Sequence, residues 1–292
     1  MMRREIFLCA INNLLSGMCG EDCRFCSQSF RYRAKIERYG FKKVSVVVKE
    51  AKVAKSNGAV GYCLVTSGKS LSEDKLEYIS SLAYQLKREL VGLKLIACCG
   101  TASREYLKEL KKSGIDSYNH NLETSKEYYP QICSTHNWSE RYQTCENIKS
   151  VGLSLCSGGI FGMGENQEDR ESFIESLLSL KPDSIPINFY IPNPSLPIKE
   201  RSIDRDVAIK LLKSIRSLID DKTILMVAGG RESIFGGAER VMFEVGVNSI
   251  VIGNYLTTEG VTPDYDRELI KSLGYGVVSV ADAELESEKM KR

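Results

Sequence analysis

Cys19-Gly20-Glu21-Asp22-Cys23-Arg24-Phe25-Cys26 sets three thiols in a CxxxCxxC spacing. Three thiolates so spaced can wrap one iron–sulfur cluster and leave one iron without a protein ligand. A cube that only carries electrons is normally held by four cysteines, whereas an open coordination position marks a catalytic metal site. A zinc knuckle or a set of unrelated buried thiols is the competing reading. It lacks a fourth Cys or His close by in sequence to close a structural zinc site.

Outward from this segment, short apolar runs alternate with longer amphipathic ones. Ile6 to Ile11, Ala59 to Thr66, Leu93 to Cys99, Ser117 to Leu122, Leu153 to Ile160, Ser184 to Tyr190, Thr223 to Ala228 and Ser249 to Gly253 read as strands. Between them, Ser70-Leu-Ser-Glu73 reads as a capping box, followed on one face by Leu76, Ile79, Leu82, Ala83, Leu86 and Leu90. Ala208, Leu211, Leu212, Ile215, Leu218 and Ile219 make a second stripe of the same period. Eight strands, most followed by a helix, predict an α/β fold of the (β/α)8 TIM-type barrel class. No Pro/Gly/Ser-rich linker interrupts the pattern, so residues 1–292 are expected to form a single domain, with 276–292 a charged C-terminal tail.

Composition narrows the function. The 292 residues are 42% hydrophobic, enough for a large core in one domain. The net charge of +2 comes with no long basic run, so nucleic acid is not an expected partner. The apolar stretch after Arg3-Arg4 is broken by Glu5 and ended by Asn12-Asn13, too short for a signal-peptide core or a membrane span. Ten cysteines in such a chain point to a reducing, cytoplasmic compartment and to metal ligation or catalysis rather than disulfides. Cys63, Cys98, Cys156 and Arg231 fall within or just after separate strands, where all can point toward the interior near the active-site face of a barrel. One such cysteine alone is ordinary core filling.

The thiol spacing resembles the radical S-adenosyl-L-methionine (SAM) enzymes. Four segments, Gly17-Met-Cys19 through Cys26-Ser-Gln-Ser29, Tyr118-Asn-His-Asn-Leu-Glu-Thr124, Cys156-Ser-Gly-Gly-Ile160 and Pro186-Ile-Asn188, are similar to the biotin synthase family, in that family's order. The resemblance runs from about residue 6 to about residue 275 and is nearest the short, epsilonproteobacterial type. It implies a sulfurtransferase that converts dethiobiotin to biotin by radical chemistry, with sulfur drawn from a [2Fe-2S] cluster. It also implies that Cys19, Cys23 and Cys26 hold a [4Fe-4S] cluster with SAM on the fourth iron, and that Cys63, Cys98, Cys156 and Arg231 hold the [2Fe-2S] cluster. Asn121, Glu123 and Asn188 are implied to position dethiobiotin and the SAM ribose, and Arg141 the SAM carboxylate. No side chain is assigned as acid, base or nucleophile, because breaking the C–H bonds of saturated carbons falls to a cofactor. An electron donor such as flavodoxin or ferredoxin and a homodimer complete the expected partners.

Three positions depart from the family pattern. Gly61 stands where an Arg is usual, two residues before Cys63. The segment before Cys19 is short. Cys98 is followed directly by Cys99, and strand alternation allows only one of the two to face inward. Cys9, Cys133 and Cys145 read as structural thiols. Another radical SAM barrel enzyme, a maturase or lyase, would keep Cys19, Cys23 and Cys26 without needing Cys63, Cys98, Cys156 and Arg231 together. A non-enzymatic iron–sulfur carrier would gain nothing from an open iron.

Overall fold

Gly61-Tyr-Cys-Leu-Val-Thr66 is buried at every position, the mark of a parallel strand covered on both faces rather than one facing water. In the computed structural model, which describes residues 4–279, this run is one of ten strands. They are β1 (Glu5–Leu15), β2 (Gly61–Thr66), β3 (Lys94–Cys98), β4 (Ser117–Asn119), β5 (Ser154–Cys156), β6 (Gly159–Phe161), β7 (Ser184–Phe189), β8 (Ile224–Val227), β9 (Ser249–Val251) and β10 (Gly276–Val277). The order β1-β2-β3-β4-β5-β7-β8-β9 closes on itself where β9 pairs with β1, and every pairing is parallel. β6 also pairs with β7, so β5 and β6 form one wall position interrupted at Ser157-Gly158. The result is the expected single-domain (β/α)8 barrel.

The interruption has a steric cause. A Cβ on Gly158 would collide with the Pro186 carbonyl oxygen, so the chain kinks there with a residue that has none. At the other end, β1 runs four residues beyond the expected strand, through Asn12 and Asn13. Both amides donate inside: Asn12 Nδ2 to Tyr62 Oη at 2.5 Å and Glu50 Oε2 at 2.7 Å, and Asn13 Nδ2 to Ser16 Oγ and the Leu256 carbonyl at 3.1 Å each. The strand therefore delivers the backbone directly into the Cys19–Cys26 loop at the C-terminal mouth of the barrel.

Helices cover the outside. Glu73–Glu89 buries Ile79, Leu82, Ala83 and Leu86 against the sheet. Its N-cap is Ser72 with no side-chain capping bond, so the box expected at Ser70 does not form; the Ser70 carbonyl instead accepts from the buried Lys75 Nζ at 2.8 Å. Capping boxes occur at Asn137/Glu140 and Asn166/Asp169, opening Trp138–Ser150 and Gln167–Ser179. In Arg205–Leu218 the stripe buries Ala208, Leu212 and Ile215, but Leu218 lies exposed at the end.

The start of the expected tail belongs to the barrel. Gly276 and Val277 pair with Glu5 and Ile6, and Val278 is buried. Glu284 to Arg292 lie outside the described residues. No helix among the described residues is long and apolar enough to cross a membrane.

Candidate iron–sulfur and substrate site

The loop after β1 is folded by its own backbone. Cys19 N–H donates to the Gln28 carbonyl (3.3 Å), Phe30 N–H to Cys19 (3.0 Å) and Cys26 N–H to Cys23 (3.0 Å). Gly17, at φ 71°, makes the turn into it, and its N–H reaches Gln28 Oε1 at 2.5 Å. Cys19 and Cys23 are buried and Cys26 half-buried. Burial pushes the Cys26 thiol up to about 11, with further upward pressure from Cys19 and Glu123, and burial also raises Cys19. Three buried or half-buried thiols that oppose one another's ionisation form a poor home for free thiolates. They suit a polynuclear iron cation, so the donor set fits a [4Fe-4S] cluster.

The loop is pinned from outside by Asp22. Its carboxylate accepts from Ser134 N–H (2.9 Å), Ser134 Oγ (2.5 Å), Thr135 N–H (3.1 Å) and Thr135 Oγ1 (3.0 Å). Burial alone would raise this acid, but the bonds from Ser134, Cys133 and Thr135 outweigh it and hold the carboxyl well below the usual carboxylate range. Cys133, read from sequence as a structural thiol, sits in this contact with its Sγ 3.7 Å from that of Cys23 and 3.3 Å from His136 Nδ1.

Deeper in the barrel, Cys63, Cys98 and Cys156 come within electrostatic reach of one another. Burial raises the Cys63 thiol well above its usual value, followed by the charges of Cys98, Cys156 and Cys9. Cys98 is raised chiefly by burial, with Cys99 and Cys156 next, and burial pushes Cys156 up to about 11. Asn119 lies between two of them, its Nδ2 3.3 Å from Cys156 Sγ and its Oδ1 3.9 Å from Cys98 Sγ. Cys99 is fully buried on the other side of the wall, in the shell between sheet and helices.

Arg231, just after β8, is fully buried, but its guanidinium is turned to carboxylates. It pairs with the equally buried Asp266 at 2.5 and 3.1 Å and with Glu232 at 3.3 Å. Nε is its one unpartnered atom. Cys9 on β1 occupies the space that Gly61 leaves, since a Cβ at 61 would lie 2.7 Å from Cys9 Sγ. The smaller residue at 61 and the extra thiol at 9 are thus one packing arrangement.

Arg141 is half-buried. It donates to Tyr129 Oη (2.6 Å) and the Asn121 carbonyl (2.8 Å), with Glu123 Oε1 at 3.6 Å. Glu123 has φ 71°, a left-handed backbone costly for a non-glycine residue, and its carboxyl is raised chiefly by burial, against the pull of Arg141. Asn121 Oδ1 accepts from Gly158 N–H (3.1 Å). Asn188 ties two backbones together, donating to the Gly159 carbonyl (3.2 Å) and accepting from Gly229 N–H (2.9 Å). His120 is buried with Nε2 unpartnered, and burial holds its imidazole neutral. Asn119, Lys75 and Asp266 were not found from sequence. Only Asn119 carried a signal, as the residue between Tyr118 and His120 in a segment already singled out.

Two family models cover this chain: the radical SAM superfamily over residues 13–177 and the biotin and thiamin synthesis associated domain over 186–276. The two regions meet inside one closed sheet, between helix Gln167–Ser179 and β7. The chain is 57% identical over 281 residues to a biotin synthase of Sulfurovum sp., covering 96% of this chain and 99% of the relative. It is 49% identical over 274 residues to that of Wolinella succinogenes, covering 94% and 98%. Among solved structures, methylornithine synthase superposes with a TM-score of 0.76 at 20% identity, covering 96% of this chain and 86% of that one. An FeFe-hydrogenase maturase from Carboxydothermus hydrogenoformans gives 0.79 at 18%, covering 94% and 67%. At such identities these two speak for the barrel alone.

Proposed function

The chain belongs to the biotin synthase family of radical SAM enzymes, and from that premise we propose how its residues divide the work of converting dethiobiotin to biotin. The reaction is a sulfurtransfer that uses a [4Fe-4S] cluster, SAM and a reductant. Cys19, Cys23 and Cys26 hold that cluster, and Cys63, Cys98 and Cys156, with Arg231 at the fourth position, hold a [2Fe-2S] cluster that is the sulfur source. When bound, these groups supply one-electron cleavage of SAM and a transferable sulfide, chemistry no side chain offers.

The observation that carries this reading is that Glu123 lies within electrostatic reach of both Cys26 and Cys98, and Arg141 of both Cys23 and Cys98. Two side chains that influence both thiol sets support a reading in which the loop thiols and the barrel thiols would serve one substrate site. Arg141, held by Tyr129 and the Asn121 carbonyl, presents a fixed cation for the SAM carboxylate. Asn121 and Asn188 are anchored through the backbones of Gly158, Gly159 and Gly229, which orients their remaining amide capacity toward the ureido group of dethiobiotin. Glu123 serves the SAM ribose. The surrounding wall excludes water and fixes the reacting carbon, the protein's own contribution to rate.

A flavodoxin- or ferredoxin-type donor, a homodimer and a cytoplasmic setting follow from family membership alone. Anaerobic reconstitution tests the whole reading: the loaded chain should form biotin and 5′-deoxyadenosine from dethiobiotin and SAM, and show two cluster types by Mössbauer spectroscopy. A single cluster type, or SAM cleavage by a chain lacking Cys19, Cys23 or Cys26, would overturn the division of roles.

A further inference from the structure

Cys23, Cys133 and His136 place their ligand atoms within 4.8 Å of one another, all in the half-buried to buried range. We propose that in the cluster-free chain these three residues bind one thiophilic divalent cation such as Zn2+, at a site that shares Cys23 with the [4Fe-4S] cluster and so excludes it. The exclusion, though not the cation site itself, rests on the assignment of Cys23 to the cluster.

Two ligand separations match those of a tetrahedral site. The two sulfurs are 3.7 Å apart and Cys133 Sγ is 3.8 Å from His136 Nε2. One zinc with metal–sulfur bonds of about 2.3 Å and a metal–nitrogen bond of about 2.0 Å separates its ligands by roughly 3.5 to 3.8 Å. The imidazole is already oriented for the task. Nδ1 lies 2.7 Å from Glu21 Oε2 and 3.3 Å from Cys133 Sγ; with its proton donated to the carboxylate, Nε2 is left as the ligand atom, the arrangement that carboxylate–histidine–metal triads use. Arg141 Nη2, 3.3 Å away, now occupies the Nε2 lone pair, and the cation would take its place.

The segment carrying Cys133 and His136 is held in place without a metal. Asp22 grips Ser134 and Thr135 through four hydrogen bonds, and Arg24 N–H donates to the Ile132 carbonyl at 2.8 Å. In the bound state both sulfurs are thiolates. The pair of thiolates neutralises the dication, and the fourth position falls to water. Nothing in this site requires Cys19 or Cys26, which gives it a ligand set distinct from that of the cluster.

The test uses the full-length, reduced, cluster-free chain under anaerobic conditions, titrated with Co2+ and followed by thiolate-to-cobalt absorption, then displaced by Zn2+. One cation per chain is expected. Binding should weaken at least tenfold in Cys133→Ser and in His136→Gln, and persist in Cys26→Ala, with far-UV circular dichroism confirming that each variant is folded. Unchanged binding in Cys133→Ser, or its loss in Cys26→Ala, would place the cation among the CxxxCxxC thiols and overturn the proposal. Cluster loading, read as iron and sulfide content, tests the exclusion. Zn2+ should suppress it in the parent chain and much less in Cys133→Ser; equal suppression in both would overturn the exclusion. Normal loading in Cys26→Ala would instead count against the cluster assignment, so the two failures are told apart.

Discussion

Cys98 and Cys99 are consecutive in the chain and lie on opposite sides of the barrel wall. Cys98 shares the interior with Cys156 and Asn119, while Cys99 is fully buried in the outer shell with Tyr118 and Leu82. Two residues of identical chemistry therefore have opposite expected fates. Cys98→Ser should lose the [2Fe-2S] component of the Mössbauer spectrum and all biotin formation, and Cys99→Ser should keep both. The reverse result would mean that the strand is misaligned by one residue.

That alternation was legible in the sequence, as were all eight wall positions, because each is a short apolar run bounded by turn residues. The extension of β1 through Asn12 and Asn13 was not. Two adjacent amides read as a strand end, and the partners that make them tolerable, Tyr62, Glu50 and the Leu256 carbonyl, belong to distant elements. The same limit hid Asp266. One acid among Asp264, Asp266 and Glu268 in a helical stretch gives no sign that it will meet a buried guanidinium, just as Cys133 gave no sign of its contact with Cys23.

Asn188 has two duties that one substitution separates poorly. Asn188→Ala should weaken dethiobiotin binding by about 1 to 3 kcal/mol, the cost of an unpaired buried partner, and also cut the tie between Gly159 and Gly229. Asn188→Asp keeps the acceptor for Gly229 N–H and loses the donor. Calorimetric titration of the reconstituted protein with dethiobiotin reads both variants. Unchanged affinity in each would leave Asn188 as scaffold.

Gly61 and Cys9 should be energetically coupled. A Cβ at 61 would lie 2.7 Å from Cys9 Sγ and 3.2 Å from Ile96 Cδ1, and overpacking of this kind costs about 1 to 3 kcal/mol. Gly61→Ala should lower the urea midpoint of the chain, and adding Cys9→Ala should recover part of the loss. A double-mutant cycle with no coupling would show that Cys9 moves aside freely.

Asp22 predicts a particular dependence on pH. Although burial pushes its carboxyl up, the bonds from Ser134, Cys133 and Thr135 leave it depressed in the folded chain. Such a group contributes stability that is present above the unfolded value of about 3.9 and lost as pH falls through the folded one. The stability gap between the parent and Asp22→Ala, measured by urea unfolding, should therefore be constant from about pH 5 to about pH 7 and narrow at lower pH. A gap that persists unchanged into strong acid would show that the bonds to Ser134 and Thr135 do not depend on the charge.

Arg231 and Asp266 decide whether a buried cation serves the fold, the inner cluster, or both. Their paired atoms are 2.5 and 3.1 Å apart with neither residue exposed. Removing one partner of such a pair leaves an uncompensated charge and costs about 3 to 5 kcal/mol, whereas replacing both with apolar residues is often neutral. Asp266→Ala should therefore unfold far more readily than the double variant Arg231→Met/Asp266→Leu. The double variant separates fold from cluster. It should remain folded, because neither member of the buried pair is left without its partner, and, on the proposal that Arg231 takes the fourth position through its unpartnered Nε, its [2Fe-2S] signal should be lost or short-lived. A folded double variant that keeps a stable [2Fe-2S] cluster would assign Arg231 to Asp266 alone and leave the fourth position to another group.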